Sequence, residues 1–217
     1  MIVKIVLVFA GLVAGSTAAL SAALGSDTES CLSHSLPDDQ QIAACSAAIR
    51  SSKQDNRAKG LALLERAGAY GRRGEYGRAI ADTTQAIRTA PSAEAYYTRA
   101  LAYQNMGEDQ RAIRDCNAAL AIEPKNENAL FVRGSARQNL EDYLGAIEDF
   151  SDVLQLNPSR APARFARGTA YYSAGDYKSA VADFSKAIDL GLTDPAIFRM
   201  RALAEAELGR PSADPRF

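Results

Sequence analysis

The sequence holds little with which to do chemistry. It has one histidine, His34, and three cysteines, Cys31, Cys45 and Cys116, in 217 residues. A lone imidazole leaves no second nitrogen ligand for a metal, and its only cysteine neighbour, Cys31, reads as a bridge former rather than a nucleophile. No glycine-rich phosphate loop follows a strand pattern, and no G-x-S-x-G elbow is present. The many Asp and Glu residues fall on charged helix faces, which accounts for them without general acid–base work. Charge of one sign is missing too. The chain carries 25 Lys and Arg against 26 Asp and Glu, a net charge of -1, with no basic stripe to neutralise phosphates and no acidic tail. These absences argue against a nucleic-acid partner, a metal, a cofactor and an enzyme. At 47% hydrophobic and 24% charged residues, the chain still falls in the range of folded globular proteins.

Residues 1–25, MIVKIVLVFAGLVAGSTAALSAALG, are of another kind. One early cation, Lys4, precedes the apolar run Ile5 to Val13, and a zone of small residues then offers an A-x-A-like cleavage site near Ala23. The pattern reads as a secretory signal peptide, which places the rest of the chain in the periplasm or outside the cell. The rival reading is an uncleaved anchor, because Ile5 to Leu24 is free of charge for about 20 residues, roughly a bilayer's span. Gly11, Gly15, Ser16, Thr17 and Ser21 dilute that stretch. Membrane contact is expected only if it stays attached.

An exported chain meets oxidising conditions, under which a structural disulfide persists. Cys31 and Cys45 flank HSLPDDQQ, whose Pro37, Asp38 and Asp39 mark a turn and a helix start. A bridge between them closes a loop of about 15 residues, a contribution on the order of 3 kcal/mol. The alternative is two thiols in a small helical hairpin. Cys116 reads as a buried, inert thiol.

Most of the remaining chain repeats itself. RAGAYGRRGEYGRAIADTTQAI starts at Arg66, RALAYQNMGEDQRAIRDCNAAL at Arg99, RGSARQNLEDYLGAIEDFSDVL at Arg133 and RGTAYYSAGDYKSAVADFSKAI at Arg167, with a fifth start, RALAEAELGR, at Arg201. The starts lie 33, 34, 34 and 34 residues apart, the signature of a stacked array. Each unit reads as two helical segments of about 14 residues split by a Gly or acidic turn and closed by a break containing proline. One hairpin cannot bury both apolar faces, so stability requires repetition.

Small residues at Ala67, Ala100, Gly134 and Gly168, aromatics at Tyr70, Tyr103 and Tyr171, alanines at Ala79, Ala112, Ala146 and Ala180, and prolines at Pro91, Pro124 and Pro158 resemble the tetratricopeptide repeat. Three positions depart from it: Arg137 stands for the third tyrosine, Glu141 for a turn glycine and Leu192 for the fourth proline. The resemblance implies an all-α fold, a right-handed α-solenoid of stacked antiparallel helix hairpins. It would hold about four full repeats, an N-terminal half-repeat and a C-terminal capping helix. The implied divisions are a signal peptide over 1–25, a degenerate repeat or cap with the disulfide over 26–59, the repeat domain over 60–209 and a disordered tail over 210–217. In the cap, QQIAACSAAIRSS aligns with the second helix RAIADTTQAIRTA. At the other end, Asp194 and Pro195 open a lone helix that would show Glu205 and Glu207 to water.

Each recurring arginine is followed 16 residues later by an aspartate, giving the pairs Arg66 and Asp82, Arg99 and Asp115, Arg133 and Asp149, and Arg167 and Asp183. Across an antiparallel hairpin that separation predicts a partly buried ion-pair ladder; the alternative is solvated charges on two faces. The resemblance further implies a concave groove lined by first helices, with Leu64, Tyr97, Phe131, Phe165 and Arg199 in one row. Leu101, Gln104 and Asn105, then Ser135, Gln138 and Asn139, then Thr169 and Tyr172 lie farther along the same helices. Such a stripe suits a protein or peptide, though the rings could equally pack between neighbouring helices. The Lys and Asn clamp by which some family members hold a terminal carboxylate is absent, since Leu64, Gly68, Thr98 and Val132 stand near its place. The expectation is a non-enzymatic, exported bacterial binding scaffold. A membrane-anchored structural subunit using its convex face or ends is the alternative.

Overall fold

The structure, a computed structural model, describes residues 26–209 apart from 34, 53 and 54. The signal-peptide or anchor segment, His34 and the expected tail therefore lie outside the described residues. Every described element is a helix: α1 Ser26–Cys31, α2 Asp38–Ser51, α3 Asn56–Arg72, α4 Tyr76–Thr89, α5 Ala93–Asn105, α6 Asp109–Ile122, α7 Glu127–Asn139, α8 Tyr143–Leu156, α9 Ala161–Ser173, α10 Tyr177–Asp189 and α11 Pro195–Leu208. The fold is all-α and of the helix-hairpin solenoid class. The chain divides into two compact units, one ending at Ala102 and one beginning at Tyr103.

In the first unit, α2 packs on α3 and α3 on α4. The Cys31–Cys45 disulfide is formed, and both cysteines are fully buried with Ala48 and Ala62. Arg72 reaches back to Asp38 and to Gln41, tying α3 to the start of α2. In the second unit α7 pairs with α8 and α9 with α10, while α6 packs on α7, α8 on α9 and α10 on α11.

The hairpin turns are built alike. The N–H groups of Glu75, Glu108, Asp142 and Asp176 donate to the carbonyls of Tyr70, Tyr103, Arg137 and Tyr171, a Schellman-type closure. The residue before each donor has positive φ: Gly74 at 73°, Gly107 at 74°, Gly175 at 84°, and Glu141 at 64°. Glutamate pays a steric penalty there that glycine does not. Glu141→Gly is accordingly expected to raise stability by about 1 kcal/mol in a urea melt, and an unchanged or lower midpoint would count against this reading.

Helix contact inside a hairpin rests on paired sizes. A Cβ placed on Gly168 would lie 2.7 Å from Phe184 Cε1, and one on Gly134 would lie 2.9 Å from Phe150 Cε1, closer than side-chain carbons approach. Where the second helix carries Thr83 in place of phenylalanine, the facing position is Ala67. Glycine is thus required only opposite a phenyl ring. Gly168→Ala should cost about 2 kcal/mol by overpacking, and shrinking the ring with Phe184→Leu should recover part of that loss. Two additive losses in the four-variant cycle would show that the residues do not touch.

The last helix differs from its sequence reading. Ile197 and Ala204 are buried against Ala180, Phe184 and Ala187, and Asp194 caps the helix by accepting from the Ala196 N–H. Its outer face is not simply polar, however. Phe198 is 43% exposed and Leu203 50%, whereas Glu207 is half-buried. The α10 surface leaves room for only one side of α11, and the apolar residues on the other side stay in solvent.

Candidate binding surface

The arginine ladder forms the polar interior. Arg66 holds Asp82 through Nε at 2.7 Å and Nη2 at 2.8 Å. Arg167 holds Asp183 with the same two distances. Arg133 donates to Asp149 through Nη2 at 2.6 Å and Nε at 3.1 Å. The hydrogen bonds to Asp82 and Asp183 hold Arg66 and Arg167 above the ordinary guanidinium range despite partial burial, so both stay charged. Arg99 and Asp115 belong to different units; within its own unit Arg99 donates to Thr84 Oγ1 at 3.1 Å.

A third partner went unseen in the sequence. The remaining nitrogen, Nη1, crosses to the helix before: Arg66 to Ser46 Oγ at 2.9 Å, Arg133 to Asn117 Oδ1 at 2.7 Å and Arg167 to Ser151 Oγ at 3.0 Å. Each guanidinium therefore closes its own hairpin and stitches it to the preceding helix. The signal was legible in principle, because Ser46, Thr84, Asn117 and Ser151 align. Their side chains share only the ability to accept a hydrogen bond, which no single residue type advertises.

Arg137 replaces a tyrosine for a readable reason. Tyr70 and Tyr171 sit beneath the guanidinium carbons of Arg66 and Arg167, 5.9 and 5.7 Å from the ring centroids. Arg137 instead puts Nη1 on Asp149 Oδ2 at 2.9 Å and on the Gly145 carbonyl at 3.1 Å. Asp149 thereby balances two cations. Asp183 likewise has a second arginine, Arg164, at 3.5 Å.

The expected groove residues divide between packing and surface. Phe131 is half-buried and tilts against Phe150 at 5.5 Å; Phe165 does the same with Phe184 at 5.8 Å. Leu64 is half-buried against the cluster of Leu63, Ala86 and Ala95. Tyr97, Gln104, Ser135, Gln138, Thr169 and Tyr172 are also half-buried, and Leu101, Asn105 and Asn139 are exposed. Tyr172 meets Tyr177 edge-on at 5.4 Å. Gln104 Nε2 lies 3.5 Å from the Val132 carbonyl, and Asn139 donates to Asp109. The guanidinium of Arg160 covers Phe131 from 4.6 Å and pairs with Glu127. Periodicity did not reveal that cover, because Arg160 comes from the loop before the next helix.

On this face the hydroxyls are oriented. Ser135 donates to the Phe131 carbonyl at 3.0 Å and Thr169 to the Phe165 carbonyl at 2.9 Å. With their protons committed, both oxygens are left to accept from an incoming N–H. The pairs Phe131/Ser135 and Phe165/Thr169 recur at the repeat step on α7 and α9, helices that also touch each other. Among the described residues, no group of His, Cys, Asp and Glu is arranged to hold a metal ion, and no helix is long and apolar enough to cross a membrane. Burial pushes the Cys116 thiol up to about 12, far from the thiolate form that reacts. Iodoacetamide should leave Cys116 unlabelled in the folded protein and label it after denaturation; fast native labelling would contradict its burial.

Family comparison agrees with this geometry. Two tetratricopeptide-repeat models match, one over residues 93–126 and one over residues 131–195. Over these residues the chain consists of tetratricopeptide repeats. Solved structures with a similar fold include a tetratricopeptide repeat protein from Parabacteroides merdae, 23% identical over 85% of this chain and 75% of that one, with a TM-score of 0.69. MamA is 25% identical over 70% of this chain and 88% of its own, with a TM-score of 0.63. YrrB, described as having an unusual peptide-binding site, is 17% identical over 76% and 84%, with a TM-score of 0.64. No curated protein matches the repeat chain.

Proposed function

We propose that this protein is a non-enzymatic scaffold that binds a protein or peptide on the face formed by its first helices. The observation that carries the reading is the repeated pairing of a half-buried ring with a hydroxyl whose proton is already used, Phe131 with Ser135 and Phe165 with Thr169. A ring that is partly exposed offers an anchoring surface, and an oxygen that only accepts suits a backbone N–H. YrrB has a peptide-binding site on the same fold, which supports the role at the level of fold alone.

The site of action we propose is the bacterial periplasm. The leader-like residues 1–25 support export, and the Cys31–Cys45 bridge suits an oxidising compartment. The charge-free run Ile5 to Leu24 favours a second reading, a membrane-anchored structural subunit of an envelope complex. N-terminal sequencing of the protein recovered from fractionated cells separates the two: a new terminus near Ser26 supports release, and an intact Met1 supports the anchor.

Photo-crosslinking tests the surface itself. A photoreactive residue at Thr169 should capture a partner, while one at Leu144, which is 72% exposed on the second helix, should not. Capture from position 144 alone would reject the first-helix face.

A further inference from the structure

We propose that Glu127, Asn128 and Phe131, in the first half of α7, form a binding site for an arginine side chain of the partner, and that Arg160 fills this site in the free protein; this rests on the first-helix face being the one that binds. Glu127, Phe131 and Ser135 follow one another four residues apart on α7. The carboxylate therefore stands in line with the ring and hydroxyl already described. A guanidinium fills the space against that ring. Its carbon lies 4.6 Å from the Phe131 centroid, and its Nη1 donates to Glu127 Oε1 and, at 3.3 Å, to Asn128 Oδ1. An aromatic face, a carboxylate and an amide oxygen on one helix thus already hold a guanidinium. Asn157 Nδ2 lies 3.5 Å from the same Glu127 oxygen and helps to keep the carboxylate in place.

The resident arginine is exchangeable. It bonds to Glu127 and Asn128 through one nitrogen, whereas Arg66 and Arg167 each grip their aspartates with two. A guanidinium that is not tethered to the start of α9 can offer two. The Arg160 side chain is 22% exposed and that of Glu127 30%, so a ligand can reach both. The Arg160 backbone is fixed independently of its side chain: the N–H donates to the Asn157 carbonyl, and its own carbonyl accepts from Ala163 and Arg164. Displacement needs only side-chain rotation, and the released charge passes into water. The next repeat is built otherwise. Ala161 stands where α7 has Glu127, and Asp194, the cap of α11, stands at the position of Arg160. Phe165 therefore suits an apolar side chain, while Phe131, one repeat step away, suits a cation. Arginine fits there better than lysine, because a planar group can lie on the ring and reach the carboxylate with its edge.

A capped tripeptide, acetyl-Ala-Arg-Ala-amide, tests the site against its neutral citrulline isostere in titrations followed by NMR of the phenylalanine rings. The arginine peptide should bind Arg160→Ala at least about fivefold more tightly than wild type, because the competing cover is gone. It should move the Phe131 signals more than those of Phe165. The citrulline peptide should bind at least about fivefold more weakly, and Arg160→Ala/Glu127→Gln should lose the preference for arginine. Ring signals of Phe150 and Phe184 that keep their wild-type positions establish that each variant is folded, and Arg160→Gln replaces the alanine variant if it is not. An arginine peptide that binds Arg160→Ala no better than wild type, or no better than citrulline does, overturns the proposal and leaves Arg160 a clasp between α7 and α9. Photo-crosslinking from Thr169 separates this site from the face that contains it: capture should weaken in Glu127→Gln and strengthen in Arg160→Ala. Equal capture in all three chains means that the face binds without selecting arginine, which overturns the proposal alone. Capture from position 144 and none from Thr169 defeats the first-helix face, and the proposal with it.

Discussion

Asp149→Ala is expected to cost about 3 kcal/mol of stability. Asp149 is 1% exposed, and its two oxygens receive Arg133 and Arg137 together. Removing the carboxylate leaves two partly buried guanidiniums without their shared counter-charge. Neither can turn fully to water, since Arg133 remains tied to Asn117 and Arg137 to the Gly145 carbonyl. Asp176→Ala makes the comparison: this aspartate is an exposed cap whose carboxyl the Ser179 side chain and backbone N–H hold below its usual range, and losing it should cost about 1 kcal/mol. Urea melts of the two variants decide the matter, and equal losses would mean that the buried ladder adds nothing beyond an ordinary cap.

Removing the Cys31–Cys45 bridge should cost a similar amount, about 3 kcal/mol, most of it felt by α1 and α2. The separation of 14 residues sets the loop-closure advantage that reduction returns to the unfolded chain. The helix α1 has six residues, too few to persist without an attachment, and its buried Cys31 helps to cover Ala62 of α3. With reductant present, or in Cys31→Ala/Cys45→Ala, amide exchange should quicken first across α1 and α2 and leave α7 to α10 protected. Unchanged exchange at the N-terminal end would show that packing alone holds the cap.

The repeat period, the hairpins and the two cysteines could be read from residue types because each has a distinctive spacing. Arginine and aspartate 16 residues apart were legible for the same reason. What escaped was whatever several residue types can do equally well. A serine, threonine or asparagine takes the crossing nitrogen of the ladder, and Arg137 takes over a tyrosine's place by bonding to Asp149. The groove was harder again. Periodicity places Phe131 and Phe165 on one side of their helices, but how much of each ring reaches solvent depends on the facing Phe150 and Phe184 and, over Phe131, on Arg160. Truncating either phenylalanine would therefore damage packing along with any binding, and a clean test must use the residues around them. The outer face of α11 escaped because its two glutamates suggested a polar cap, while Phe198 and Leu203 show only in three dimensions that nothing within the described residues covers them fully.

The central claim is that repetition builds a stable frame whose first-helix surface does the binding. The most direct test is a cross-linked pull-down from the envelope fraction with wild type, with Ser135→Arg/Thr169→Arg, and with Leu144→Arg on the other face. All three should first be shown to melt alike. The account predicts a partner captured by wild type and by Leu144→Arg but lost from Ser135→Arg/Thr169→Arg. Retention by the double variant together with loss from Leu144→Arg would contradict it and place binding on the second-helix face.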